Sequence, residues 1–388
     1  MATDGMPSQG AIEYPLFTDA QIVGPSGTGP GTPATAYGPY RLFNTIAAGN
    51  RTRPAIVLRM EEHRADQLDD DEGEDKDPLA WSRKTDISRY HGGELADEIA
   101  ALVSLCLGVR AKSGGVSRLF EPDADDPRGR PFSLVYESDP VVPLARSTSL
   151  LPRALPPNTH NLDAMAPFAQ LLSLTPEQAV ALIRAARSYQ EAMWIAEGTP
   201  EMSWLLFVSA TETAAAQWRS EKDKPVERLR ASRPEVERLL RERGGDDFVT
   251  QVAELLAPYM GATKTFVDFV MAFLPQAPAE RAPDYSRFSW EPADMKKSLS
   301  KIYDYRSKAL HGGIPFPAPM CETPWGVDGC YAETPGATYG ARGAVWRKED
   351  LPMLLHTFEY IVRHALLGWW RSMIGQAEQP RASESGHA

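Results

Sequence analysis

The sequence predicts a two-domain α+β protein, in which a small N-terminal α/β domain precedes an all-α helical bundle. The chain has 388 residues, of which 43% are hydrophobic and 24% charged, so it can bury two cores. Runs rich in β-branched and aromatic residues lie early, at 54–60 and 132–137. From residue 175 onward the apolar residues recur every three or four positions, the spacing of amphipathic helices.

The first part of the chain combines a low-complexity start with signals for strands and a helix. Residues 1–37 are rich in Gly, Pro, Ser and Thr, and we expect them to form a flexible leader. Residues 38–138 are predicted to form the small α/β domain, with a helix over 94–108 between its two strand-like runs. Within it, residues 64–78 contain the run DQLDDDEGEDKD, whose charge of −7 indicates a disordered loop.

A proline-rich connector separates the two predicted domains. Between Asp139 and Pro176 the chain carries seven prolines, Pro176 included, so residues 139–174 are predicted to be extended. Thr175 can cap the first helix of the second domain, with Pro176 in its first turn. The second domain spans 175–373, and a disordered tail is predicted over 374–388. The helical segments predicted in the second domain are 175–197, 203–218, 225–243, 246–260, 261–275, 291–310 and 346–373.

Composition excludes some classes of protein. The start MATDGMPSQG has neither a basic nor an apolar segment, and no run of eighteen apolar residues occurs, so we expect a cytoplasmic protein without a membrane span. The three cysteines, Cys106, Cys321 and Cys330, fit free thiols in a reducing compartment. The net charge of −11 does not favour a nucleic acid as a binding partner, although residues 218–243 carry nine Lys/Arg against six Asp/Glu. That segment is either a salt-bridged surface or a modest basic patch.

The most informative motif is SLSKIYDYRSKALHGG, residues 298–313, in which Arg306 precedes His311 by five positions. It resembles the R-x(4–6)-H motif of HEPN domains, and YDYRSKALHGG resembles the form found in the Apea-like branch of that family. SWLLFVSATETAAAQW, with Glu212 inside it, resembles the family's early helix, and GATKTFVDFVMAFLP resembles the segment before the motif helix. The likeness covers roughly residues 200–373.

This resemblance implies that the second domain is an all-α HEPN helical bundle. Many HEPN domains are metal-independent endoribonucleases that act in antiviral defence, as toxins or in stress responses. They commonly form homodimers in which two motifs line one cleft. The resemblance therefore implies that Arg306 and His311 are catalytic, that RNA is the substrate, and that neither a metal nor a cofactor is needed. The N-terminal domain would then bind a protein or ligand partner.

Elementary chemistry is consistent with those roles. RNA can be cleaved by its own 2′-hydroxyl, which needs a group that exchanges protons near neutrality and a cation that holds the phosphate. Histidine suits the first task and the planar arginine fork suits the second, with Ser307 available to orient either one. Tyr303 and Tyr305 either stack on a base or pack in the core, and Glu212 either orients the motif or is a structural partner of Arg306.

Helix geometry places a condition on this site. Five residues along a regular helix advance about 7.5 Å and rotate about 140°, so the two side chains would not share a face. We therefore expect the helix to end near Leu310, with His311 leaving the helical path at Gly312 and Gly313, or a second copy to close the gap. The insertion at 312–345, before the last helix, either gates or blocks the cleft.

Other interpretations of the same residues stay open. Arg306 can pair with an acid, and His311 can interact with the carbonyls at the helix end. Cys321, Cys330 and His311 would supply three zinc ligands at an unusual spacing, without an evident fourth. The rival functions are a non-catalytic HEPN module that binds RNA, a nucleotide or a protein, and a purely structural dimerisation domain.

Overall fold

The structure is a computed structural model, and it describes most of the chain. The acidic loop predicted at 64–78 and the strand-like run at 132–137 lie outside the described residues. The described residues are 10–24, 35–37, 40–44, 56–61, 85, 87–120, 130–131, 140–141, 149–155, 158–220, 224–256, 261–327, 329–341 and 343–377.

The chain divides into two compact units, and one boundary between them falls inside a helix. The first unit comprises Met1–Ala145, Arg153–Gln190 and Ala377–Ala388, and the second comprises Arg146–Pro152 and Glu191–Gln376. The first unit contains strands and the second is mainly helical, as the α+β prediction requires. The chain passes from one unit to the other after residues 145 and 152, inside the connector predicted at 139–174, and again after residue 190, because residues 153–190 belong to the first unit.

An antiparallel sheet forms the centre of the first unit. Its strands are β1 (Ala11–Phe17), β3 (Thr35–Tyr37), β4 (Tyr40–Asn44), β5 (Ile56–Glu61), β6 (Lys112–Ser113), β7 (Arg118–Phe120) and β8 (Arg130–Pro131). Their order is β3-β4-β5-β1-β7-β8, with β6 also paired to β1. Leu16 lies opposite Ile56, and Leu16, Ile56 and Leu58 are fully buried, so one face of the sheet forms the core. Outside this sheet, β2 (Gln21–Val23) pairs in parallel with β9 (Thr159–Asn161).

The prediction of a flexible leader over residues 1–37 is wrong for β1, β2 and β3, which all lie within it. β1 is bonded on both sides, to β5 on one edge and to β6 and β7 on the other. Arg59 donates to Glu13 directly across the β1–β5 pair, at 2.6 and 2.9 Å. The composition of 1–37 is dominated by the Gly and Pro cluster at 24–33, which hides the strand pattern of AIEYPLF.

Helix α1 (Leu95–Leu107) packs against this core and confirms the helix predicted over 94–108. Its N-terminus has a capping box between Glu94 and Asp97, and Gly108 ends it in the left-handed conformation at φ 68°.

The connector predicted to be extended at 139–174 instead holds a 3-10 helix, Leu162–Ser173, with Leu162, Met165 and Phe168 buried. Its single internal proline, Pro167, is tolerated because those three apolar side chains reach the core.

Helix α2 (Pro176–Ile195) begins where the sequence predicts. The Gln178 amide donates to Thr175 Oγ1 at 3.3 Å and the Thr175 amide donates to Gln178 Oε1 at 3.1 Å, so the two residues cap the helix reciprocally. Gln190 on the same helix donates to the buried Ala111 carbonyl at 2.6 Å. Gln190 and Ala111 both belong to the first unit, so this part of α2 is bonded within that unit.

The second unit is built from helices, and no strand occurs among the described residues of 175–310. The last helix begins at Leu355, later than the predicted 346, and it extends to Ala377, so the predicted tail is helical over 374–377. The segment predicted as an insertion, 312–345, contains two small hairpins, β10–β11 (Gly326–Val327, Cys330–Tyr331) and β12–β13 (Tyr339–Ala341, Ala344–Trp346). The remaining helices are α3 (Pro200–Ser220), α4 (Pro225–Ser232), α5 (Pro234–Leu256), α6 (Ala262–Ala272), α7 (Pro292–Gly312) and α8 (Leu355–Ala377).

A stack of three aromatic rings lies in the core of the second unit. Trp204 of α3 is fully buried between Phe316 and Phe358, with ring centroids 5.3 and 4.8 Å away and nearly parallel planes. Its indole N–H donates to the Met320 carbonyl at 3.3 Å. The stack thereby joins α3, the 312–345 segment and α8. Within the described part of the chain, none of the helices has both the length and the apolarity needed to cross a membrane.

A charged cluster in the first unit joins the loop before α1 to α1 and α2. His91 Nε2 lies 2.5 Å from Glu98 Oε1, and Arg187 donates to the Gly92 carbonyl at 2.8 Å. Burial raises the pKa of Glu98 to about 7, against the opposing effect of Arg187. Burial, together with Arg187 and Arg184, lowers the pKa of His91. The remaining groups that face the cluster are Tyr40 of β4 and Asp97 of α1.

These shifts predict a pH-dependent stability of the first unit. Because the pKa of Glu98 is raised from 4.5 to about 7, the stability that Glu98 contributes falls as the pH rises through this window, whereas the lowered pKa of His91 contributes a change of the opposite sign. The variant Glu98→Gln cannot ionise at this position. As the pH rises from about 5 to about 8, we therefore expect its unfolding midpoint to rise relative to that of the wild type. Thermal unfolding at both pH values measures this, with the exposed Glu177→Gln as control. A difference in midpoint that does not change with pH would contradict the assignment.

Candidate functional site

The candidate site lies on α7, which carries both motif residues. The helix continues through His311 and Gly312 and ends at Gly313, whose left-handed φ of 63° allows its amide to donate to the Lys308 carbonyl. The prediction that the helix ends near Leu310 with His311 outside it is therefore wrong. Gly312 keeps helical geometry, and the turn is made one residue later than expected. Within one chain Arg306 and His311 consequently keep the angular separation of a regular helix, about 140°.

Arg306 is held by a carboxylate from a neighbouring helix. Its Nη2 donates to Glu212 Oε2 of α3 at 2.9 Å, and both side chains are about three-quarters buried. The hydroxyl of Tyr303, one turn before Arg306, donates to the other oxygen of Glu212 at 2.7 Å. Burial and Glu212 raise the pKa of Tyr303 to about 12, so this phenol stays a donor at neutral pH. Nε and Nη1 of Arg306 have no hydrogen-bond partner among the residues that the structure describes.

This arrangement decides between the interpretations of Glu212 and Tyr303. Glu212 is the structural partner of Arg306, and by that contact it also fixes the direction of the guanidinium. Tyr303 is buried, and its ring packs on Phe266 of α6 with centroids 5.3 Å apart, so it is not available to stack on a base. Tyr303 and Arg306 are three residues apart, which places both side chains on one side of the helix. This spacing is the signal in the sequence that both could reach the same carboxylate of Glu212.

Tyr305 and Ser307 lie on other sides of α7. The hydroxyl of Tyr305 donates to the Asp350 carbonyl at 2.6 Å, and its ring packs edge-on against Phe316. Burial, with Asp350 and Asp304 nearby, raises the pKa of Tyr305 to about 12. Tyr305 therefore joins α7 to the segment before α8. Ser307 is half-buried and is four residues before His311, so these two side chains share a face of the helix.

The C-terminal end of α7 is open to solvent. His311 is exposed, and so are the apolar side chains beside it, Leu310 at 51% and Ile314 at 59%. Leu310 is four residues after Arg306 and lies on the same side of the helix. Upstream, Leu299 and Ile302 on this side are fully buried in the core. The apolar stripe of α7 thus extends beyond the core at the motif.

The 312–345 segment is bonded to the rest of the second unit through Glu333. Glu333 is nearly fully buried and bonds through both carboxylate oxygens to Arg281, at 2.9 and 2.5 Å. It also accepts from the Phe288 amide at 2.9 Å, and its backbone carbonyl accepts from the Leu354 amide at 2.9 Å. Glu333 thus bonds the segment to residues on both sides of it in sequence.

The zinc site considered for Cys321, Cys330 and His311 has no support in the structure. The described residues contain no group of three or more His, Cys, Asp or Glu placed to hold a metal ion. None of the three cysteines forms a disulfide; Cys106 is buried, and Cys321 and Cys330 are half-buried. A cavity of about 400 Å³ does occur in the second unit. It lies between α4 and α5, and its lining includes neither motif residue: Lys224, Pro225, Val226, Glu227, Arg230, Thr250 and Glu254.

Comparison of the chain with models of known protein families, with curated proteins and with solved structures found no match. The chemistry of the site therefore depends on its own residues. One protomer offers an arginine with a fixed orientation and two nitrogens available for an anion, and an exposed histidine about 7.5 Å further along the helix. The arginine can bind a phosphate or carboxylate, and the histidine can exchange a proton, but on a straight helix they point in different directions.

The carboxylate of Glu212 should be energetically coupled to Tyr303. We expect Tyr303→Phe to lower the free energy of unfolding by about 1 kcal/mol, because it removes one hydrogen bond to a charged acceptor that keeps partial access to water. In a double-mutant cycle with Glu212→Gln the two losses should fall short of additive by about 0.5–1.5 kcal/mol. Urea unfolding measures this, and Tyr305→Phe, whose hydroxyl bonds to a backbone carbonyl, is the matched control. Additive losses for Tyr303 and Glu212 would argue against the bond.

Proposed function

We propose that this protein is a metal-independent endoribonuclease of the HEPN type, which cleaves RNA through the 2′-hydroxyl. The observation that carries the proposal is the fixed Arg306, with two guanidinium nitrogens available, on the same helix as the exposed His311. The proposal adds to this the resemblance of residues 298–313 to the HEPN motif. A role in antiviral defence, as a toxin or in a stress response, and a cytoplasmic location, belong to the same proposal.

The reaction requires a proton transfer and stabilisation of negative charge on one phosphate. The 2′-hydroxyl oxygen attacks the adjacent phosphorus while the bond from phosphorus to the 5′-oxygen breaks, which leaves a 2′,3′-cyclic phosphate and a 5′-hydroxyl end. His311 moves a proton from the attacking oxygen or to the leaving oxygen. Arg306 binds the non-bridging oxygens through Nε and Nη1, and Glu212 holds it in position from the other side.

A homodimer reconciles the helix geometry with this reaction. Because Arg306 and His311 point about 140° apart in one chain, the site is complete only if the histidine of one protomer approaches the arginine of the other. The exposed Leu310 and Ile314 beside His311 offer apolar surface for such a contact. A partner that covers Leu310 would also approach Arg306, which lies on the same side of α7.

One observation favours a second candidate, a non-catalytic module that binds RNA, a nucleotide or a protein. Arg306 already has a carboxylate partner, and a paired arginine on a regular helix is also what a structural role requires. This candidate predicts binding without cleavage, so the same assay separates the two.

In excess chelator, the purified protein is expected to cleave mixed RNA and leave cyclic phosphate ends. We expect His311→Ala and Arg306→Lys each to lower the cleavage rate by about 100-fold or more, because lysine lacks the two-pronged donor and alanine cannot transfer a proton. Lys308→Ala is the control, since Lys308 is an exposed neighbour that pairs with Asp304. Gel analysis of end-labelled RNA gives the rate, and a substrate with 2′-deoxy sugars should stay intact. RNA that is retained but uncleaved would favour the binding module.

Mixing two inactive variants tests the shared site. In a mixed dimer of Arg306→Ala with His311→Ala, one site loses both residues and the other keeps both, if each site takes its arginine and histidine from different protomers. After random exchange of subunits, about one quarter of the wild-type cleavage rate should return. If both residues of a site come from one chain, each site of the mixture lacks one of them. A mixture as inactive as its components would therefore contradict the dimeric site.

A further inference from the structure

The side of α7 that faces away from the core of the second unit carries lysines. Helix geometry places seven residues on this side, all of which are exposed: Ala293, Lys296, Lys297, Ser300, Asp304, Lys308 and His311. We call these seven residues the lysine face. Met295, Leu299 and Ile302, on the opposite side, are fully buried in the core. His311 therefore lies at the C-terminal end of the same exposed surface as the lysines.

Two lysines of this face lack a counter-ion. Lys308 is neutralised by Asp304, whose Oδ2 lies 2.7 Å from its Nζ. Lys296 and Lys297, in contrast, are exposed and have no ion-pair partner among the residues that the structure describes. Asp294, one turn before Lys297, accepts a hydrogen bond from a serine hydroxyl at 2.6 Å. The N-terminal half of the lysine face therefore presents two unpaired cations to solvent.

The stretch 347–350, just before α8, adds cations beside this face. Lys301, at the edge of the face, donates to the Glu349 carbonyl at 2.8 Å, which holds the stretch against α7. Arg347 is 76% exposed, and Lys348 is exposed without an ion-pair partner in the described part of the chain. Together the lysine face, Lys301 and this stretch carry six Lys/Arg against three Asp/Glu. This local excess of cations contrasts with the net charge of −11 for the whole chain.

The composition of the lysine face favours a phosphate backbone over a protein as its ligand. Between the unpaired lysines and His311 the face presents only small or charged side chains, namely Ser300, Asp304 and Lys308. The centre of a protein interface is instead rich in large apolar side chains and poor in charged ones. The phosphates of a nucleic acid need cations alone, since their contacts with lysine are electrostatic.

The length of the lysine face fits a strand that carries several phosphates. Lys297 is fourteen residues before His311, so the two lie about 21 Å apart along the helix and about 40° apart around it. In the proposed reaction the phosphate that reacts lies at His311. A strand that follows α7 from that point carries its next phosphates towards Lys297 and Lys296.

We propose that the lysine face binds the backbone of the RNA strand on one side of the bond that is cleaved, with Lys296, Lys297 and the neighbouring Lys348 in contact with its phosphates. The inference rests on the proposed function, which supplies RNA as the ligand and His311 as the position of the reacting phosphate. Lysine binds phosphate as a point charge, so we expect these contacts to add affinity without sequence preference.

Removing the unpaired lysines of α7 from the full chain tests this surface. For Lys296→Gln with Lys297→Gln we expect the Kd for a labelled single strand of RNA to rise about 3- to 10-fold, because two exposed phosphate contacts are lost. The slope of log Kd against log salt concentration should become shallower by about 1.4. Fluorescence anisotropy measures both, on a strand whose 2′-O-methyl groups prevent cleavage. Arg238→Gln with Arg243→Gln, at exposed positions of α5, is the control that removes the same charge elsewhere.

Cleavage kinetics provide a second readout. The lysine contacts are equally strong before and during the reaction, so the lysine variant should raise KM by the same factor as Kd, and the effect should not appear in kcat. A fall in kcat at unchanged KM would overturn the proposal.

The two measurements separate this proposal from the proposed function. If the lysine variant binds RNA as the wild type does, or if only the α5 control weakens binding, the lysine face is not the binding surface, although cleavage by the wild type would still support the nuclease. A wild type that binds the strand without cleaving RNA, and whose affinity falls in the lysine variant, would support the lysine face and count against the nuclease. A wild type with no affinity for the strand at low salt would overturn the lysine face, whatever its activity.

Discussion

The stacking of Trp204 between Phe316 and Phe358 is the contact on which the second unit depends. It brings together α3, the 312–345 segment and α8, which are far apart in sequence, and it completely buries one of the two tryptophans of α3. Glu212 lies eight residues further along α3, about 12 Å up the same helix, so the orientation of α3 at the stack also sets where this carboxylate meets α7. The position of Arg306 therefore depends on an aromatic contact in the core.

Features with a local signal could be predicted from the sequence. The cap at Thr175, the helix after Glu94 and the start of the motif helix agree with their predictions because capping residues and apolar spacing act within a few residues. The strand β1 was missed because its stability comes from pairing with β5, some forty residues later, while nearby Gly and Pro suggested a flexible segment. Long-range pairing has no signature in a single short window.

The site shows the same division between local and distant causes. Arg306, Glu212 and Tyr303 were all identified from the sequence, and the structure brings them together in one hydrogen-bonded group. The end of the helix was misplaced because a catalytic requirement was imposed on a single chain, whereas the backbone follows Gly313 and its left-handed φ. What the motif does depends on the surface at the end of α7, and the sequence of one chain does not state what covers that surface.

The central position of α8 affects how the protein is made. Phe358, Trp369 and Trp370 of this helix are almost wholly buried, and Phe358 provides one face of the Trp204 stack. During synthesis on the ribosome, residues 191–350 emerge first and lack this partner. The second unit therefore reaches its native packing only after α8 has left the exit tunnel, and until then the face of the Trp204 indole that Phe358 covers lacks its partner. Chaperones that bind exposed aromatic side chains would meet this unit in that interval.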